Sequence, residues 1–369
     1  MEGHPVRDLV DDLGGRLGSI GHIDRVFTND MKKIIRGDIK TITPEGFKEI
    51  QDVPNPAKIA FVDGGDRPLE ESPNFLITVN RVYFSMFRGR ERINPSGRSR
   101  IQFFESVISR ITSDKNPSVE YETRLFTHNK EDEKYIPRIE DLPSKDTSKS
   151  SLERSRTGSF SRSFAEWKFA RHVIENELNA GDILVMDRSL QTGYENEQEL
   201  AGELYKAAIN NKVILCGLSK TSRLMTASGE PLLARISEIA SNVPYSRWYV
   251  EVARKLEHVN NGYVMAVKLH PKSQYIYRFE ILCEQYEKMT ETERGRVLGS
   301  IAANSNDVAM PGYPYGLVDA DRFAQVRNDE KGLYKGYIEA EIMRHPEGRK
   351  MLKYSRLNGA HEHLNGVTS

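Results

Sequence analysis

The stretch Ile59-Ala60-Phe61-Val62-Asp63-Gly64-Gly65 constrains this chain more than any other. Four apolar residues run straight into a carboxylate and two glycines. A short apolar run bounded by glycine reads as a buried strand. Its carboxylate falls where the strand leaves the core, a costly place unless something pairs with it. The glycines let another backbone or a ligand come close. The rest of the chain can be searched for what pairs with Asp63.

A second stretch repeats the pattern. Residues 182–187, Asp-Ile-Leu-Val-Met-Asp, form an apolar strand that also ends in a carboxylate, Asp187. A helix is expected ahead of it, because Phe164, Trp167, Phe169, Ala170, Val173, Ile174 and Leu178 recur at helical spacing before Ala180-Gly181. An amphipathic helix at 197–211 and a buried strand at 212–217 follow, with two more strands at 263–269 and 275–282. Residues 284–304, 317–326 and 334–343 read as helices.

Nearer the N-terminus, residues 75–87 carry β-branched and aromatic bulk and read as a strand. The simplest arrangement pairs it antiparallel with the first strand through a loop at 64–74. Weak helical spacing marks 8–20, one helical turn is expected at 45–50, a loop at 88–100 and a helix at 101–111. Residues 113–160 are rich in Lys, Asp, Glu and Ser, so they read as a polar insertion or mobile loop. Strands early, then strand–helix–strand, argue for an α/β fold: a mixed sheet flanked by helices, with a helical C-terminal part. The site is expected where strand ends meet.

Composition narrows the function classes. The 369 residues hold 53 basic and 53 acidic side chains, which argues against a uniformly basic nucleic-acid coat but leaves a local basic groove open. The two cysteines, Cys216 and Cys283, lie in apolar runs and read as buried free thiols rather than a disulfide or zinc site. No leader-like segment opens the chain and no apolar stretch approaches ~18 residues, so a soluble cytoplasmic protein is expected, with no membrane partner.

Asp63 and Asp187, on neighbouring strand ends, could share a divalent cation; hard ions such as Mg²⁺ or Mn²⁺ prefer carboxylate oxygen. Each could equally be an ordinary loop cap. Glu166 sits in the helical stripe before the second strand and could be aimed at the same ion, or form a salt bridge with Arg162; Glu175 and Glu177 compete, and spacing does not choose. Lys220, between Ser219 and Thr221, suits a phosphate. Tyr313, in Gly312-Tyr-Pro-Tyr315, precedes Asp319 and Asp321; the first reads as helix capping and the second could point elsewhere.

Taken in order, Phe61-Val-Asp-Gly-Gly65, Leu184-Val-Met-Asp-Arg-Ser-Leu190, Ser219-Lys-Thr-Ser222, Lys268-Leu-His270 with Tyr277-Arg-Phe-Glu280, and Gly312-Tyr-Pro-Tyr315 through Ala320-Asp-Arg322 resemble the NurA nuclease family over residues 58–327. The resemblance implies an RNase H-like core spanning 57–330, a polar insertion at 113–160, an N-terminal extension 1–56 for partner docking, and a C-terminal helix and tail at 331–369. It also implies a Mn²⁺- or Mg²⁺-dependent deoxyribonuclease with two ions, acting as a homodimer on DNA ends with a HerA-type hexameric translocase. Carried over by motif, Asp63, Glu166, Asp187 and Asp321 are the expected metal ligands, with Lys220 and Tyr313 completing the catalytic set. In the two-ion mechanism Asp63 would bridge both ions, Lys220 would hold the phosphate, and Tyr313 would position the strand or stack on a base. Leu9 and Leu13 are candidate docking points.

Two departures stand out. Arg188 replaces the family's glycine, and Asp321 stands where the family has a histidine, eight positions after the tyrosine. They motivate one rival expectation, a catalytically impaired adaptor for a ring translocase; a third expectation, independent of them, is a phosphotransfer or phosphatase enzyme for small substrates.

Overall fold

The computed structural model describes Val10 and residues 26–27, 40–72, 74–111, 119–142, 155–193, 196–222, 224–226, 229–254, 261–348 and 352–353. Apart from Val10, the expected helix at 8–20 lies outside them, as do the docking leucines Leu9 and Leu13 and the tail from 354. The principal strands are β1 (Phe47–Glu49), β2 (Lys58–Ser72), β3 (Phe75–Arg88), β4 (Glu91–Ile93), β5 (Arg100–Ile111), β6 (Val119–Thr127), β7 (Ile183–Met186), β8 (Ile214–Ser219), β9 (Trp248–Ala253), β10 (Gly262–Lys268) and β11 (Tyr277–Leu282). The principal helices are α1 (Ser155–Glu177), α2 (Glu197–Asn210), α3 (Leu232–Ala240), α4 (Cys283–Lys288), α5 (Glu291–Asn304), α6 (Tyr315–Ala324) and α7 (Asn328–Arg344). The architecture is mixed α/β, sheet flanked by helices, with a polar insertion and a helical C-terminal region. No helix among the described residues is long and apolar enough to cross a membrane.

The chain forms two compact units. One consists of Ala57–Met186, Thr192–Leu215 and Pro314–Ser369. Its strands run in the order β7-β2-β3-β5-β6, antiparallel except for β7, which is parallel to β2. Side chains alternate across β2 and β3. On β3, Phe84 packs on Phe169 of α1, while Phe87 meets Tyr315 and Tyr83 meets Phe323, both on α6. Even positions therefore face α1 and odd positions face α6. Phe61, Phe84, Phe164, Trp167 and Phe169 are all fully buried between these layers. The Trp167 indole N–H donates to Glu197 at 2.8 Å, and the same carboxylate accepts from Ser163 and the Gly193 amide, which ties α1 to the start of α2.

The other unit consists of Met1–Pro56, Asp187–Gln191 and Cys216–Tyr313. Its strands follow the order β1-β9-β10-β11-β8, all antiparallel. Helix α3 covers this sheet by burying Leu232 and Ile236 with Phe47, Trp248, Val250 and Val264. Helix α5 starts at a capping box in which Thr290 and Glu293 satisfy each other's backbone amides.

Several expectations are overturned. Residues 101–111 are strand β5, not a helix; Ile101, Phe103, Glu105 and Val107 are buried at every second position, and β3 supplies a full ladder partner. The expected loop at 64–74 is mostly strand, because β2 continues to Ser72 against β3. Residues 45–50 form the end of a 3-10 turn and strand β1, which pairs with β9, itself absent from the expectations. The 88–100 segment contains β4, reached through Gly89 at φ 57°. Within the polar insertion, β6 pairs with β5 and α1 begins at Ser155. Its acidic groups Asp132 and Asp141 are buried by ion pairs with Arg98 and Arg138. Cys216 is buried, but Cys283 is only half-buried.

Gly316 marks the tightest approach of α6 to β2, since a Cβ there would lie 2.0 Å from the Phe61 ring. Gly316→Ala should lower unfolding free energy by about 1–3 kcal/mol through overpacking. Gly332→Ala, on α7 with open space around its Cβ position, should raise it by up to about 1 kcal/mol. Urea unfolding of both variants checks the pair.

Candidate metal centre

The parallel pairing of β2 with β7 sets the site. Val62 and Met186 are register partners, and the next residues along the two strands are Asp63 and Asp187. Asp187 is thus carried by the end of β7 through a single peptide bond. On β2, a Cβ at Gly65 would meet the Ala324 carbonyl and Phe61 abuts Gly316, so Asp63 shares the face turned to α6. That helix supplies Asp321. Asp63, Asp187 and Asp321 each offer a carboxylate oxygen, and the three oxygens lie within 4.8 Å of one another. Asp63 also accepts the Gly64 amide at 2.8 Å.

Asp187 has two fixed neighbours. The Tyr313 hydroxyl donates to its Oδ1 at 2.9 Å, and Lys220 Nζ stands 2.7 Å from its Oδ2. Lys220 also lies over the Tyr313 ring, 5.6 Å from its centroid. Tyr313 follows Gly312, whose φ of 94° and contact with Ser273 leave no room for a side chain. The loop after Asp187 is anchored from behind. The Leu190 amide donates to the fully buried Glu280 at 2.9 Å, and Arg278 neutralises that carboxylate. Gly217 makes space for the Arg188 carbonyl, which would lie 2.4 Å from a Cβ.

Glu166 comes from the opposite face. It reaches from α1 to the backbone of Gly64, where a Cβ would sit against its carboxylate. The missing side chain at Gly64 is what admits it. Arg162, one turn earlier, ion-pairs with Glu166, donates to Asp66 Oδ1 at 2.8 Å and donates to the Gly64 carbonyl at 3.3 Å. The Glu166 charge, aided by Asp66 and Asp63, outweighs burial and holds the Arg162 guanidinium even above its ordinary pKa. Glu166 does not join the aspartate trio. The competing glutamates are engaged elsewhere: Glu175 with Arg171, and Glu177 with Ser96 and Gly97. Asp319, two residues before Asp321, is buried against Arg92.

No known protein-family profile matches the chain, and no curated protein matches it. Solved structures do show a likeness. The NurA nuclease from Sulfolobus solfataricus matches at 11% identity and a TM-score of 0.49, over 81% of this chain and 88% of that one. Endonuclease V from Ciona intestinalis, in complex with DNA, matches at 8% identity and 0.35, over 73% and 84%. Argonaute from Aquifex aeolicus matches at 8% identity and 0.27, over 75% of this chain and 29% of that one. Likenesses of this size carry no conclusion about activity.

The donor chemistry speaks more directly. Three carboxylates without a thiol or imidazole form a hard, all-oxygen set that fits Mg²⁺ or Mn²⁺ better than soft ions. A plausible acidic metal site is therefore present.

One buried acid nearby escaped the sequence reading. Glu105 on β5 accepts from Ser161 and Asn80, yet burial dominates and lifts its pKa from 4.5 to about 8. The folded protein keeps this proton between those two values, while the unfolded chain releases it. Stability is accordingly lost as pH rises through that window. Glu105→Gln should become more stable relative to the parent between pH 5 and 8, by a few kcal/mol on the order of one per pH unit. Urea unfolding across that range reads the difference; a constant offset would contradict it.

Proposed function

We propose that this chain is a metal-dependent deoxyribonuclease, hydrolysing phosphodiesters at the Asp63, Asp187 and Asp321 centre with Mn²⁺ or Mg²⁺. The observation that supports it most is the meeting of these three carboxylates from separate segments beside a lysine. Bound divalent ions would supply an activated water and charge stabilisation on the leaving oxygen. The protein's own groups do the rest. Asp63, within β2, and Asp187, one residue past β7, would hold the ions. Lys220, half-exposed, can exchange Asp187 for a DNA phosphate and hold its developing charge. Tyr313 is 1% exposed, so it has no face for a base; it fixes the Asp187 carboxylate instead. Glu166 is the fourth carboxylate of the proposed set. The motif resemblance supports DNA ends as substrate, a homodimer, and a HerA-type hexameric translocase as partner.

The adaptor reading keeps one point in its favour: Lys220 and Arg162 already neutralise Asp187 and Glu166 without any ion. Mn²⁺ titration separates the two, since a working centre raises the thermal unfolding temperature and a dead one does not.

Asp63→Asn should cut cleavage of end-labelled linear DNA by roughly a hundredfold or more, in Mg²⁺ and in Mn²⁺, while DNA binding persists. Asp187→Ala should behave alike. Cleavage by Asp63→Asn at the parent rate in Mn²⁺ would overturn the assignment.

A further inference from the structure

Glu166 is only 4% exposed, and a buried carboxylate needs a counter-charge. Arg162 provides it, and its guanidinium is held by three acceptors at once: Glu166 on α1, and Asp66 and the Gly64 carbonyl on β2. That carbonyl belongs to the residue directly after Asp63. Asp63 is close enough for its charge to act on Arg162, so a cation drawn to both Asp63 and Glu166 would compete with this guanidinium. A guanidinium and a divalent ion repel each other and compete for the same carboxylate oxygen.

We propose that Arg162 is the resident counter-ion of Glu166, so that the DNA-free protein takes one divalent ion, on Asp63, Asp187 and Asp321, and admits a second only when Arg162 gives way. This rests on the metal-centre reading above. Arg162 is a positioning residue: it holds Glu166 on its own side of the strand, away from the aspartate trio. A DNA phosphate is the natural trigger for release, because arginine pairs with phosphate in the same bidentate manner as with carboxylate. Loading of the second ion is then coupled to arrival of the substrate, and Arg162 stays paired with Glu166 and Asp66 until that moment.

The test counts Mn²⁺ bound by the full chain without DNA, using calorimetric titration and the free-Mn²⁺ electron paramagnetic resonance signal. The parent should bind one ion. Arg162→Gln should bind two, the second at least about tenfold tighter than any second ion in the parent. Arg162→Lys, which keeps the charge, should bind one, and Arg162→Gln with Glu166→Gln should return to one. Glu166→Gln alone should leave the first ion's affinity unchanged, which tests the proposal even if Arg162→Gln does not fold. Two comparable ions in the parent, one ion in folded Arg162→Gln, or loss of the first ion in Glu166→Gln would each overturn it. If the folded parent binds no Mn²⁺, the metal-centre reading fails and takes this proposal with it. If the parent binds one ion and cuts DNA but folded Arg162→Gln gains none, only the role of Arg162 falls.

Discussion

Carboxylates repel one another, and the structure nevertheless gathers them. Parallel pairing of β2 with β7 brings Asp63, within β2, beside Asp187, one residue past the end of β7, and α6 adds Asp321. Such a group is tolerable only with positive charge or hydrogen-bond donors at hand. Asp63 accepts the Gly64 amide, Asp187 has Lys220 and the Tyr313 hydroxyl, and the neighbouring Glu166 has Arg162. The cations at hand, Lys220 and Arg162, are groups that also suit phosphate.

Holding the geometry falls to close approaches that only small residues permit. Gly316 lets α6 settle on Phe61, Gly65 makes room for the Ala324 carbonyl, and Gly64 opens the notch that Glu166 fills. Behind Asp187, the buried Glu280–Arg278 pair takes up the Leu190 amide and so fixes the loop. These contacts are rigid because interiors are close-packed, and a shift of one helix moves the carboxylate it carries.

Not all of the local pattern was readable. Ile101 to Ile111 fits both a helical and an alternating period, and only the ladder offered by β3 decides for a strand. The polar segment before α1 looked unable to bury itself, yet Asp132 and Asp141 are buried because Arg98 and Arg138 neutralise them. Glu105 gave no signal, since nothing in its neighbours along the chain announces full burial.

By itself the sequence determined the mixed α/β class, the buried apolar runs that lead into Asp63 and Asp187, and the helix that carries Glu166. Those follow from short-range rules, since apolar runs seek the core; that the strand carrying Asp63 runs on to Ser72 was decided by its pairing with β3. Which face each acid takes was decided by tertiary structure alone. Strand alternation against α6 puts Asp63 with Asp321, while α1 keeps Glu166 on the other side with Arg162. The physical reason is that one position along a strand reverses a side chain's direction, and only the packed neighbours say which direction faces which charge.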